Sequence, residues 1–533
     1  MSLYFETASP LAEADRHRAD VACFIGFVAR RPLRPLPAAL RAQLVAAGWV
    51  EGTYRKPASQ IESLENLPVV IDSWDLFDEL FAWEARPLAV DGSTQCATYL
   101  GAAVRSFFSR GGKRAIVIRV GDPWPFLESG SNRAANRRTR LRKMLPDFAD
   151  RDAPAYPFAP YDPGTWQGIH HLYGLRENSM LVMPDLADAC TFEPIVPDVT
   201  ITPPPTPEGF VECSEEDPVS DDTGLRDVPA PRLDSRGYAA WQLAVSAARG
   251  FLNRYQREVM LIASLPLPDV NTQRVSGAGR VYAQGDMLAY LQRVGVISKD
   301  GSIGTTNEGV ASAFVQLAWP WLRTQASGDL PEGLESPDGV LAGLISTGAA
   351  LRGSFRSVAG EFSMPRLRDI AGAEPVPAWG QGDDSPAGQL AKHVCTFAQA
   401  PDGWALQSDV TTSPDESWRF GGASRLMGTI LRAARVAGDG VAFDLNGPQL
   451  WAQLRGSIED MLMEFWREGA FSGASAAEAF SVLCGRNTMT QADLDAGRLI
   501  VHISVRPAMS IERITVVLNL ANTAGKNAMR EVA

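Results

Sequence analysis

ATYLGAAVRSFFSRGGKRAIVIRV, Ala97–Val120, reads as a helix, a tight turn and a strand. Tyr99, Ala103, Phe107 and Phe108 recur at helical spacing and make one apolar face. Gly111 and Gly112 end the helix where positive backbone angles are needed. Lys113 and Arg114 follow, where a helix C-terminus favours positive charge. Ala115–Val120 is β-branched and apolar enough to be buried on both faces of a sheet.

Upstream, residues 1–20 are polar and without period, which predicts an extended arm. Val21–Val28 is a short apolar run and the expected first core strand. Pro37–Ala47 reads as a helix within the polar segment Arg30–Pro68. Val69–Ile71 leads to Asp72-Ser73, a helix N-cap pair, and Trp74–Trp83 follows as an amphipathic helix.

Downstream, the pattern weakens after Asp122. Ser131–Lys143 is a basic run with no acid, and Gly168–Leu175 reads as a short polar loop. Ser179–Pro184 and Glu258–Leu265 are two more buried strands, separated by a helix at Ala239–Arg254. Between them Cys190–Gly237 is rich in proline and acid, a solvated insertion without a core of its own. Gly285–Val294 reads as a helix, Ala313–Trp319 as a strand and Asp338–Leu351 as a helix. Apolar strands alternating with helices predict an α/β sheet built by crossover connections.

Pro, Gly and Asp cluster through Pro375–Pro386, and the texture changes after about residue 365. Arg425–Ala437 is helical. Asn446–Glu468 is a long helix with Leu450, Leu454, Ile458, Leu462, Phe465 and Trp466 as its apolar stripe. Ala474–Phe480 starts another helix, and Leu499–Val505 and Ile511–Leu520 are β-like.

Composition narrows the function classes. A chain of 533 residues holds two to four domains. No run of eighteen apolar residues predicts a membrane span, and no secretory signal is expected. Six widely spaced cysteines without a CxxC pair predict reduced thiols. A formal charge of -12 disfavours nucleic acid as a general partner.

No reactive constellation stands out. Gly277-Ala278-Gly279 lacks the strand and third glycine of a dinucleotide loop, and no P-loop or GxSxG elbow is present. His170-His171 lack the carboxylate spacing of a metal site and read as polar-loop residues. His502 alternates inside a strand as a structural histidine, and His393 has no evident partner. The basic residues Arg133, Arg137, Arg138, Arg140, Arg142 and Lys143 read first as a solvated helix face. The sharper reading is a docking patch for an acidic surface of a neighbouring subunit, or for nucleic acid. The competing class for the whole chain is a soluble α/β enzyme or ligand-binding protein with no recognisable motif.

The ordered series of segments resembles the tail sheath family of contractile phage tails and phage tail-like injection systems. Ala22–Val28, Val70–Phe81 with Ser73-Trp74 and Phe77, Tyr99–Val120, and Leu181–Asp185 look like successive family segments. So do Trp319-Pro320-Trp321, Ser336–Gly339 with Gly343, and Trp418-Arg419 with Ser424-Arg425-Leu426. The C-terminal run from Leu450-Trp451 through Gly469-Ala470, Gly473 and Ala479-Phe480 to Asp495 and Gly497-Arg498-Leu499 is similar in order. The sequence departs from the family in lacking the Pro-Gly-Val-Tyr arm and in reading Ser-Pro-Asp-Gly for Pro-Ser-Gly. Arg30–Pro68 and Cys190–Gly237 look like additions.

The resemblance implies a mixed α/β and α+β protein without catalytic residues, cofactor or metal. It implies an N-terminal arm at 1–20, an outer α/β domain at 21–365 carrying the insertion 190–237, an inner α+β domain at 366–510, and a C-terminal strand and arm at 511–533. Such a chain polymerises as stacked, commonly hexameric rings around an inner tube protein, with baseplate and terminator or cap proteins as further partners. It assembles in the bacterial cytoplasm, inserts in no membrane, and belongs to a particle that contracts. Ile511, Ile514, Val516, Val517 and Leu518 are the expected inter-subunit strand. Arg455, Glu459, Asp460 and Glu464 are the expected outward face of the long helix, toward the tube or a neighbour.

Overall fold

The computed structural model describes residues 18–92, 94–128, 132–148, 159–191, 225–268, 309–374, 386–440 and 445–508, with a few positions between 289 and 296 and short pieces at 519–520 and 528–529. Strands β1 (Ala22–Gly26), β2 (Pro68–Ile71), β3 (Ala115–Arg119), β4 (Met180–Val182), β5 (Met260–Ser264), β6 (Val315–Trp319), β7 (Cys395–Ala400) and β8 (Gly403–Leu406) form one sheet. Their order is β8-β7-β6-β5-β4-β1-β3-β2. The six inner strands run parallel, and β2 and β8 close the two edges antiparallel. Every residue of β1, β3, β4, β5 and β6 is buried, as their mostly apolar runs suit in a sheet covered on both faces; Arg119, Ser264 and Gln316 are the buried polar residues among them.

Helices connect and cover these strands: α1 (Ala38–Ala46), α2 (Trp74–Leu80), α3 (Tyr99–Ser109), α4 (Arg133–Met144), α5 (Ser235–Tyr255) and α6 (Asp338–Arg352). The Ser73 hydroxyl accepts from Leu76 N and starts α2. Its helix ends at Leu80, short of the expected Trp83, because Phe81–Ala82 pairs with Ala29–Arg30 as a short ribbon. Helix α3 and strand β3 form as the opening stretch predicts, with one refinement at the turn. Only Gly111 takes a positive φ, +95°. Gly112 is needed for space, since a Cβ there would meet the Phe107 ring at 2.4 Å.

Two glycines let α6 lie directly on α3. A Cβ on Gly339 would sit 2.5 Å from the Ala103 carbonyl oxygen, and one on Gly343 2.8 Å from that of Phe107. The two segments that resemble family markers therefore meet in one helix crossing.

The sheet extends past the expected boundary at residue 365. β7 pairs with β6, so residues 395–406 belong to the first body. A second hydrophobic core starts at Leu426 and joins α7 (Gly421–Asp439), α8 (Pro448–Arg467), β9 (Phe480–Cys484) and β10 (Val501–Val505). The helix expected at Ala474–Phe480 is one turn, Ala476–Ala479, because Phe480 already pairs with Val505.

The insertion reading also needs correction at one end. Leu225, Val228, Ala230 and Leu233 are buried in the first core, and Arg232–Leu233 pairs with Leu267–Pro268. The rest of the insertion, residues 192–224, lies outside the described residues, as does most of the helix expected at Gly285–Val294.

Candidate functional site

An open, mostly parallel sheet binds ligands beyond the carboxyl ends of its strands, where the strand order reverses. Here that point lies between β1 and β4. The chain fills it with its own side chain. Asp185, just after β4, accepts from Phe27 N at 2.7 Å and from Leu100 N at 3.3 Å. A Cβ on Gly26 would meet its carboxylate at 2.3 Å, so β1 ends in glycine to admit it. Burial pushes the Asp185 carboxyl up to about 7, against the pull of the Phe27 amide. Beside it Arg86 and Asp188 form a buried ion pair at 2.7 Å, with Arg86 packed over Trp124 and Phe126.

His170 and His171 are not in a polar loop. They lie in a 3-10 turn, Gly168–Gly174, and both are buried. His171 packs edge-on against Trp49 and Trp166, and burial, helped by nearby Lys56, pushes it down to about 3. His170 Nε2 lies 3.2 Å from Asp147. Among the described residues no group of three His, Cys, Asp or Glu side chains forms a metal site. Cys23, Cys96, Cys190 and Cys395 are buried, and burial raises each thiol, Cys96 to about 11 and Cys395 to about 12.

The most elaborate polar site joins the two bodies. Helix α7 faces the second core with Leu426 and Ile430, and the first body with Arg425 and Arg432. Arg425 holds Asp409 bidentately at 2.8 and 2.7 Å and donates to the carbonyls of Ser354 and Arg356. Asp409 also accepts from Gln316 Nε2 and Val358 N. Burial alone would raise the Asp409 carboxyl; the Arg425 guanidinium and these donors outweigh it and hold it below its usual range. Gly421, Gly422 and Gly428 let the helix approach Asp409, Phe355 and Glu258 closely.

Arg432 anchors the root of the N-terminal segment. It donates to the carbonyls of Arg18 at 2.8 Å and Asn178 at 3.3 Å, while Ser346 Oγ donates to Asp20 O at 2.8 Å. A cleft of about 920 Å³ opens here between the bodies, lined by Arg18, Lys113, Arg352, Arg356, Phe465 and Glu468 among others.

The second body is a helix pair backed by a two-stranded ribbon. β9 and β10 pair antiparallel from Phe480↔Val505 to Cys484↔Val501. Val482 is the one buried ribbon residue, and Val501, Ile503 and Val505 are half-buried against the core. Leu483 and His502, directly opposite each other, face out. Among the described residues both outer ribbon edges lack a further strand.

On α8, Arg455, Asp460 and Glu464 are exposed and Glu459 half-exposed, opposite the buried stripe of Leu450, Leu454, Ile458, Leu462 and Phe465. Arg455 and Glu459 pair at 3.8 Å. Ile511, Ile514, Val516, Val517 and Leu518 lie outside the described residues; Asn519–Leu520 pairs with Ala528–Met529.

The basic run is a helix, but not one uniform patch. Arg137 is buried, Arg140 pairs with Glu128 at 2.6 Å and stacks over Trp124, and Lys143 faces Glu65 at 3.6 Å. Arg138 is exposed, and Arg133 and Arg142 are half-buried. Sequence reading missed Arg425 and Arg432 as joint residues. The only signal available to it was the Arg-Leu pair at residues 425–426.

No protein-family model matches the chain. No curated protein matches it either. Solved structures do. A chain of the anti-feeding prophage baseplate in its contracted state aligns over 97% of this chain and 97% of its own, with TM-score 0.54 and 16% identity. A chain of the anti-feeding prophage helical sheath in its contracted state aligns over 98% and 99%, with TM-score 0.51 and 16% identity. The sheath complex of an extracellular contractile injection system, also contracted, aligns over 98% of each chain, with TM-score 0.50 and 15% identity. The chain thus has the fold found in contractile sheath assemblies.

Proposed function

We propose that this chain is a structural subunit of a contractile sheath, polymerising around an inner tube and contracting to drive it through a target envelope. The observation that carries the reading is the end-to-end correspondence with sheath chains, 98% of this chain and 99% of the helical-sheath one. An α/β core alone would align with the first body and stop there.

The geometry supports a division of labour. The first body, with its switch point filled by Asp185, is a rigid outer block. The second body, with open ribbon edges, faces the tube and the neighbouring subunits. In this reading the arms at 1–20 and 511–533 add strands to the ribbon of adjacent subunits, with Ile511, Ile514, Val516, Val517 and Leu518 as the adding strand. The contacts are heterologous, so they propagate as stacked, hexameric rings rather than closing on a dimer. Contraction is rigid-body rotation of subunits while the arms keep them tethered. The fixed arm root at Arg432 and Ser346 suits that load. Arg455, Glu459, Asp460 and Glu464 line the face turned to the tube or a neighbour. Inner tube, baseplate and terminator proteins are the partners of such a subunit, and the particle assembles in a bacterial cytoplasm.

Negative-stain microscopy of the purified full-length protein tests the reading. Tubes or rings around a hollow axis are expected. A uniform small particle at every concentration and salt would sink it.

A further inference from the structure

The cleft between the two bodies gathers positive charge in a chain whose net charge is -12. Its walls are the chain at Arg18, the α3–β3 turn at Lys113, and the end of α6 with the turn after it, through Arg356. The end of α8 closes it with Phe465 and Glu468. Arg18 is matched by Asp20 at 2.7 Å. Among the described residues Lys113, Arg352, Arg356 and the adjoining Arg366 have no carboxylate partner.

The fold fixes these guanidiniums in place without neutralising them. Arg352 and Arg366 both stack on the Phe362 ring, 3.7 and 3.9 Å from its centre, and Arg356 packs on Phe355 at 5.4 Å. Each donates to one backbone carbonyl, of Ser357, Phe362 and Glu468 respectively, the last at a long 3.5 Å. Burial, and after it the like charges of Arg356 and Arg366, depress the Arg352 guanidinium. Rings and carbonyls position the charge, and an anion is what would cancel it. Apolar groups share the cleft: Leu351 is 63% exposed, and Phe355 lies beside it. We propose that this cleft docks a carboxylate-rich segment of a partner protein, its acids on Lys113, Arg352 and Arg356 and one apolar side chain on Leu351 and Phe355.

The cleft's chemistry favours a protein over a nucleic acid. At about 920 Å³ it holds several side chains, not a duplex. A polyanion long enough to run past it would meet a surface of net negative charge. The exposed leucine gives a phosphate group nothing to bind, but it suits an apolar side chain set among acids. Guanidiniums already held on aromatic rings lose little freedom when a carboxylate arrives, so docking costs little in order.

Fluorescence anisotropy tests this on the full-length protein, below the concentration at which it assembles. The probe is a fluorescein-labelled peptide of six glutamates and two leucines. Lys113 and Arg356 are exposed, so Lys113→Gln, Arg356→Gln removes two cleft charges and leaves the cores intact. Arg41→Gln, Arg55→Gln removes two exposed charges elsewhere and is the control. The cleft variant should bind about ten-fold more weakly than the wild type, and the control should match the wild type. The peptide with glutamine for glutamate should not bind at the same concentrations. Equal affinity for the two double variants would overturn the proposal. So would tighter binding of an oligothymidylate of equal charge, which would give the cleft to nucleic acid. Tighter peptide binding by Glu6→Gln, Glu13→Gln, Asp15→Asn would also overturn it, by assigning the cleft to residues 1–17 of the chain itself. None of these readouts needs a filament, so the docking site and the sheath reading can fail separately.

Discussion

The two bodies solve the same problem, how to end a sheet, in opposite ways. The first ends in two short antiparallel edge strands, β2 and β8, and buries every residue of β1 and β5. The second, among the described residues, pairs two strands and leaves alternate side chains in solvent. A wide sheet with a core on both faces is stable by itself, and its four-residue edges offer little to a further strand. A two-stranded ribbon is marginal by itself and gains from any strand that extends it. The difference separates a large block with a core on both sheet faces from a small module with room for a further strand.

The largest effect expected is on assembly. Deleting residues 511–533 should abolish filament formation and leave soluble monomers with an unchanged melting temperature. Electron microscopy and calorimetry on one preparation read both. Filaments of normal length from the truncated chain would break the comparison, since the ribbon would then not depend on that arm.

Next is the joint. Arg425→Met strands a buried Asp409 carboxylate, and losing one partner of a buried ion pair costs about 3–5 kcal/mol. Urea unfolding should show that loss. The double variant Arg425→Met, Asp409→Leu should recover much of it, because the uncompensated charge is gone. Recovery is the sharper readout: its absence would mean that the pair's hydrogen bonds to the loop at 354–358, not its charge balance, hold the bodies together.

The joint also marks where sequence reading stopped. Strands β1, β4, β5 and β6 were legible because their runs are apolar but for Gln316 and the terminal Ser264, as burial on both faces favours. The pair Cys395–Ala400 and Gly403–Leu406 was not. CTFAQA and GWAL carry Thr, Gln and Ala, and only pairing with β6 makes them part of the sheet. His170 and His171 read as polar by residue type, but three aromatic rings, Trp49, Trp166 and Phe251, enclose them. Arg425 is one arginine in an amphipathic helix until Asp409 arrives from elsewhere in the chain. Of Arg455, Glu459, Asp460 and Glu464, helical periodicity places three in solvent, and Glu459 is half-buried.

A smaller effect belongs to the first body alone. Gly343→Val drives side-chain atoms against the Phe107 carbonyl and the Arg110 Cβ, both within 2.8 Å of the new Cβ. Overpacking of this kind costs about 2 kcal/mol and should lower the melting temperature by several degrees. Assembly at low temperature should persist, since the second body is untouched. Lost assembly with little lost stability would show that the α3–α6 crossing transmits its geometry to the ribbon.

The smallest effect concerns pH and again separates the bodies. In the first, burial raises Asp185 and Glu335 to about 7 and Asp338 to about 6. Each binds its proton more tightly folded than unfolded. Stability from these groups is complete below the unfolded range near 4 and is lost as pH rises through 6 and 7. In the second body Asp493 behaves oppositely. Hydrogen bonds from Thr490 and an ion pair with Arg498 lower it to about 2, so its contribution is lost only as pH falls toward that value. Asp338 is the cleanest place to test the contrast. One of its oxygens accepts from Ser336 Oγ and Gly339 N, and the other is buried without a hydrogen bond. Asp338→Asn keeps the accepting oxygen and puts an uncharged amide at the other. It should be close to neutral at pH 4 and stabilising at pH 8 by on the order of 1 kcal/mol or more, read by urea unfolding. Asp185 and Glu335 keep their own dependence, so the fall in stability between pH 5 and pH 8 should become shallower without disappearing. Equal effects at both pH values would mean that the folded protein holds the Asp338 proton no more tightly than the unfolded chain, so that the amide changes packing and not charge.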